Sequence, residues 1–284
     1  MTRTARRIRT ARHARTTAAL AAAIALLGAC SGDGGAEETS SAPDASPSDT
    51  SSSSSETDAA PELTGDLTVF AAASLQGVFE ELATTFEQEH PGVTVTFSFA
   101  ASSALAEQVN SGAPADVLAT ASAATMEQAA AEVTDPATFA SNTLVIVTPS
   151  DNPGAVTGLG DFANGDLTLA VCAVEVPCGA AAEAVFTAAG ITPAIDTFAE
   201  NVTATLNLAS SGEVDASLVY ATDARSAGDA VTTITFPEAA EAVNDNLIAT
   251  LTAAPNPDAA QAWVDLVRSP EGSAVLEAAG FTLP

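Results

Sequence analysis

The residues of this sequence that could do chemistry are hydroxyls, one cysteine pair and a lone tyrosine, with few charged side chains to activate them. Ser74 stands where Leu67–Ala71, a short apolar strand pattern, gives way to a helical one. From there Leu75, Val78, Phe79, Leu82, Ala83 and Phe86 recur with the spacing of one buried helix face. A strand that ends at a helix N-terminus aims free N–H groups and a positive dipole end at one point, which suits an anion. The plainer alternative is that Ser74 caps the helix and does nothing more. Ser102 and Ser103 stand at a second passage of this kind, after Phe99-Ala100-Ala101.

Other candidates are weaker. A serine nucleophile needs a base, and after the first thirty residues the only imidazole is His90, beside Pro91-Gly92 at a helix end. Asp116 follows Pro114 and orders a turn more readily than it binds a metal, because no second carboxylate lies near it. Trp263 falls in an apolar helical pattern and reads as core. Arg225 is the one cation close to the lone tyrosine, Tyr220, and reads as a surface residue. These residues form neither a catalytic triad nor a metal cluster, so the reading is binding rather than catalysis, with no cofactor.

The elements that must position these residues alternate. Val93–Phe97, Val117–Ala119, Leu144–Val147, Thr168–Val171, Ala216–Tyr220 and Leu247–Leu251 read as strands. Helical patterns lie between them, including one from about Ala180 to Ala189 and one from Val202 towards Ser210 with Asn201 as its cap. Two helices end the chain, the second starting at Pro270. Alternating strands and helices predict an α/β protein with mostly parallel sheets.

Composition sets the surroundings. Of 284 residues eight are lysine or arginine, all of them arginine, and six fall between Arg3 and Arg15. An apolar run, Ala18–Leu27, follows and closes on Leu27-Gly28-Ala29-Cys30. This is a secretory leader over 1–29, too short for a membrane span. Leu-Gly-Ala-Cys resembles the lipobox of bacterial lipoproteins, which makes Cys30 the expected lipidation site. Arg6-Arg7 leaves the general and twin-arginine export routes both open. Residues 30–64, rich in Ser, Asp and Pro, read as a flexible tether.

From Cys30 onward, Arg225 and Arg268 stand against all 36 acidic residues, a formal charge of −34. That balance excludes nucleic acid and anionic membrane surfaces as partners. In an exported chain Cys172 and Cys178 suit a disulfide, whereas a metal site would want further soft or imidazole ligands.

Several motifs, in order, resemble those of the molybdate-binding proteins of ABC transporters. They are Val69–Leu75, Phe99–Ser103, Gly112–Asp116, Leu218–Tyr220, Phe236–Glu238, Ser269–Gly272 and Ala279–Phe281. The resemblance implies a two-lobed periplasmic-binding-protein fold (type II), with residues 65–142 and 248–284 in one lobe, 143–247 in the other, and two crossing strands between them. It implies a ligand, molybdate or tungstate, held by Ser74, Ser102, the backbone N–H groups of Ala170 and Val202, and the Tyr220 phenol. It also implies a permease and its ATPase as partners, a monomer, and an extracytoplasmic protein bound to the membrane through its lipid anchor only. Around Val171–Gly179 the chain departs from the family pattern and carries its cysteine pair instead.

A site of amides, serines and one phenol offers donors only. It suits a fully deprotonated oxyanion, and monohydrogen phosphate would bring an O–H in need of an acceptor. Sulfate or another small tetrahedral oxyanion is the alternative ligand.

Overall fold

The structure is a computed structural model that describes residues 62–284; the leader, Cys30 and the tether up to residue 61 lie outside the described residues. The chain opens with β1 (Thr64–Ala72), a 3₁₀ turn over Ala73–Leu75 and α1 (Gln76–Glu89). It continues through β2 (Gly92–Ala100), α2 (Ser102–Asn110), β3 (Val117–Thr120), α3 (Ala123–Gln128) and β4 (Val133–Asn142). Then come β5 (Leu144–Pro149), β6 (Leu169–Cys172), α4 (Pro177–Ala189), β7 (Thr197–Ala199) and α5 (Val202–Ser210). The remainder is β8 (Ala216–Tyr220), α6 (Ala221–Ala227), β9 (Val231–Ile234), β10 (Asn244–Leu251), α7 (Pro257–Val267) and α8 (Pro270–Ala279).

These strands form two five-stranded sheets, in the orders β2-β1-β3-β10-β4 and β7-β6-β8-β5-β9. Each has two parallel and two antiparallel strand pairings, so the sheets are mixed rather than mostly parallel as the alternation predicts. The antiparallel members are the connectors. β4 leaves the first sheet and, after Thr143 alone, continues as β5 of the second; β10 returns from the second sheet to the first. A βαβ unit keeps successive strands parallel, but a strand that crosses between sheets enters from the other side.

α1 buries Val78, Phe79, Leu82, Ala83 and Phe86, the face that the spacing predicts. Trp263 of α7 is fully buried and meets Phe79, Phe86 and Phe97 with ring centroids 5.5–5.8 Å apart, in edge-to-face contacts. Each such pair adds about 0.5–1.5 kcal/mol beyond its burial. Asp116 is also structural. Its Oδ2 accepts from the Thr68 N–H at 2.7 Å and its Oδ1 from the Asn256 N–H at 2.6 Å, which ties β1 to the segment before α7. Among the described residues, no group of three His, Cys, Asp or Glu side chains comes together to hold a metal. No described helix is long and apolar enough to cross a membrane.

Candidate anion-binding site

In both sheets the three parallel strands end at the same place. The passages from β1 to α1 and from β2 to α2, and the residue after β3, meet the starts of α4 and α5 and the end of β8 around one small cavity of about 20 Å³. This is the crevice at the carboxyl ends of the strands, where α/β sheets offer helix N-termini to ligands. α5 packs against the Ala73–Leu75 turn, so the two lobes touch beside the cavity. Four of the five residues expected to bind line it: Ser74, Ser102, Val202 and Tyr220.

Ser74 does not cap a helix. It lies inside the 3₁₀ turn, whose N-cap is Ala72, and its buried Oγ has no hydrogen-bond partner. An unpaired buried hydroxyl costs about 1–3 kcal/mol, and a ligand in the cavity would relieve that cost. Ser102 is the first residue of α2, behind the N-cap Ala101, and is 1% exposed. Its Oγ accepts from the Ala121 N–H at 2.9 Å. With an acceptor role filled, the hydroxyl hydrogen remains to be donated.

In the second lobe, Asn201 caps α5, its Oδ1 accepting from the Ala204 N–H at 2.9 Å. Val202, as first helical residue, has an N–H without an acceptor in its own helix. Tyr220 ends β8, is 1% exposed and has an unpartnered buried phenol oxygen. Burial, reinforced by the nearby Asp223 carboxyl, pushes the phenol well above its ordinary range. It is therefore a neutral donor at any physiological pH.

Ala170 is the exception, and the expectation for it is corrected. It sits within β6, paired with Thr197 on one side and Ser217 on the other, and does not line the cavity. The reason is that α4 starts at Pro177, three residues earlier than the apolar pattern predicts. Val176 is extended, Pro177 takes the first helical position where no N–H is needed, and Cys178, which lines the cavity, has an N–H without an acceptor in its own helix. The Val176-Pro177 pair was the signal for this start.

Cys172 and Cys178 are joined, with Cα atoms 5.7 Å apart. The bridge ties the end of β6 to the first turn of α4, and Cys172 Sγ also lies 3.3 Å from Thr205 Oγ1 of α5. Gly179 completes the brace, since a Cβ there would overlap the carbonyl oxygen of Ala173.

No aspartate, glutamate, lysine or arginine lines the cavity. Charged residues appear in the neighbouring cleft of about 600 Å³, which includes Asp223, Arg225, Glu80 and Glu81 beside Ser74. Burial pushes the Asp223 carboxyl up to about 7, against backbone hydrogen bonds that lower it. The site thus consists of helix N-termini, two serine hydroxyls and one phenol. It can receive a small anion through oriented neutral donors.

Residues 67–282 match the family model described as bacterial extracellular solute-binding protein. The chain is similar to the molybdate-binding protein ModA of Mycobacterium tuberculosis, 40% identical over 223 residues that span 77% of this chain and 85% of that protein. Among solved structures it resembles the Azotobacter vinelandii periplasmic molybdate-binding protein, with a TM-score of 0.68 and 22% identity, over 77% of this chain and 99% of that one. It also resembles the sulfate-binding protein SubI of Mycobacterium tuberculosis, with a TM-score of 0.67 and 16% identity, over 76% and 86%. At those identities the two structures speak to the fold alone. The family match runs through nearly all of the described residues, and the chain belongs to the bacterial extracellular solute-binding proteins.

Proposed function

We propose that this protein captures molybdate, or tungstate, between its lobes and delivers it to the permease and ATPase of an ABC importer. The observation that carries the reading is the pair of buried, unpartnered hydroxyls, Ser74 Oγ and Tyr220 OH, on opposite lobes of one uncharged cavity. Taking a dianion out of water costs several kcal/mol, and charge-assisted hydrogen bonds must replace its hydration. Ser74, Ser102, Tyr220 and the N–H groups of Cys178 and Val202 supply such bonds. With no carboxylate in the cavity to accept a proton, they favour an oxyanion that carries none. The 40% identical relative named for molybdate supports that anion over other tetrahedral ones.

The same reading includes the leader and Cys30: the mature chain is anchored outside the cytoplasm by lipid on Cys30 and acts as a monomer. Residues 65–142 with 248–284 and residues 143–247 are the two units that close on the ligand.

Calorimetric titration of the purified protein with molybdate, tungstate, sulfate and phosphate tests the proposal. Tight binding of molybdate and tungstate, with sulfate much weaker and phosphate weakest, is expected. Preference for sulfate would replace the ligand while keeping the donor logic. Preference for phosphate would overturn the donor logic itself.

A further inference from the structure

Two buried asparagines stand where the chain passes between the lobes. Asn142 ends β4, and Asn244 begins β10; they face one another as register partners in the antiparallel β4–β10 pair. Their amides reach in opposite directions. Asn244 Nδ2 donates to the carbonyl of Ala121 at 2.9 Å, and the N–H of Ala121 donates to Ser102 Oγ at 2.9 Å. Asn142 Oδ1 accepts from the Thr143 N–H at 3.0 Å, which leaves its Nδ2 to donate to Thr222 Oγ1 at 2.7 Å. Thr222 lies two residues beyond Tyr220, and between them Ala221 donates its N–H to the Thr143 carbonyl at 2.9 Å.

We propose that Asn142 and Asn244 are positioning residues for the anion site, each fixing the donor of one lobe to the same backbone joint. Asn244 sets Ser102 through residue Ala121, whose carbonyl it holds and whose N–H holds the serine; Asn142 sets Tyr220 through Thr222 and Ala221. The inference rests on reading the cavity as the oxyanion site. Its physical basis is directional: a hydrogen bond weakens steeply once the donor turns away from its acceptor. The Ser102 hydroxyl keeps its heading while the backbone on both sides of the Ala121 Cα holds still. Both asparagines are over nine-tenths buried, so water does not readily replace either amide.

A merely structural role would lower stability without coupling to a particular donor, and double-mutant cycles separate the two cases. Asn244→Ala is expected to weaken molybdate binding about tenfold in the native background, the loss of roughly one positioned hydrogen bond. In a Ser102→Ala background the same change is expected to cost less than about twofold, because the donor it positions is already gone. Asn142→Ala should show the same dependence on Tyr220→Phe, whereas Asn244→Ala with Tyr220→Phe should be additive. Asn244→Ser serves if the alanine variant fails to fold. In the unliganded protein, Asn244→Ala should also speed amide hydrogen exchange at Ala121, with Leu118 of β3 as the control. Additive cycles at both matched pairs overturn the inference, as does unchanged exchange at Ala121. If the native protein takes up no molybdate, the functional reading fails instead, and exchange at Ala121 still decides the positioning link.

Discussion

The two sheets share one topology, yet they hold their donors in different ways. In the first lobe, the Ala73–Leu75 turn and α2 start behind alanines that cap nothing, and the serine hydroxyls turn to the cavity. In the second lobe the helix starts are secured locally, α5 by Asn201 and α4 by Pro177 and the disulfide. What they present is backbone N–H, joined by one phenol. The first lobe therefore offers rotatable donors and the second offers fixed ones. A side chain that caps its own helix is unavailable to a ligand, so a binding lobe must choose which of its termini to leave uncapped.

The sharpest way to break this comparison is to disturb the fixed side. Gly179→Ala pushes a methyl group into the Ala173 carbonyl, a backbone group that cannot swing aside. A loss of about 3 kcal/mol in denaturant unfolding is expected; a loss below about 1 kcal/mol would mean that the α4 start is not tightly held.

Removing hydroxyls sharpens the comparison from the ligand side. Ser74→Ala, Ser102→Ala and Tyr220→Phe should each weaken molybdate binding by about 2 kcal/mol, roughly 30-fold. Their effects on the unliganded protein should diverge. Ser74→Ala and Tyr220→Phe delete buried unpaired atoms and should leave thermal stability unchanged or higher. Ser102→Ala strands the Ala121 N–H and should lower it. Equal stability losses at all three would assign them a packing role.

Replacing both Cys172 and Cys178 by serine should cost about 2 kcal/mol of stability for so short a loop. Binding should weaken as well, since Cys178 N–H loses its brace. Titration with intact affinity would show that Pro177 and Gly179 suffice to hold the α4 start.

The last effect is graded with pH. Asp223 carries its proton in the folded protein up to about 7, whereas an unfolded aspartate loses it near 4. Between those values the folded state binds more protons than the unfolded one. Its contribution to stability is full below about 4 and is lost as pH rises to about 7, at up to about 1.4 kcal/mol per unit. Asp223→Asn should flatten that slope in unfolding measured across pH. Anion affinity should also fall as Asp223 ionises near Tyr220, and the same variant should remove that fall.

Much of this was legible because local signals and tertiary roles agree. The face of α1, the Asn201 cap and the strand endings at Ser74, Ser102 and Tyr220 follow from spacing alone. β4 was not foreseen: its Thr, Asp, Pro and Ser residues lack an alternating pattern, and pairing with β10 through bulges organises it. β7, only three residues long, carries too little pattern to read. At the site, Ala170 came from the resemblance alone, in the stretch where the chain departs from the family pattern, and the start of α4 lines the cavity instead. From its stretch alone Ser74 reads more readily as a cap than as a donor, and only the hydrogen bond it fails to make separates the two.

The aromatic residues divide between the lobes in a way that bears on detection. The only tryptophan, Trp263, is sealed among phenylalanines in the first lobe; the only tyrosine, Tyr220, faces the cavity from the second. Each lobe thus carries one near-ultraviolet chromophore of its own. The phenol band reports what happens at the ligand, and the indole band reports whether the distant core has been disturbed. Occupancy and integrity can be followed in one spectrum of the unlabelled protein.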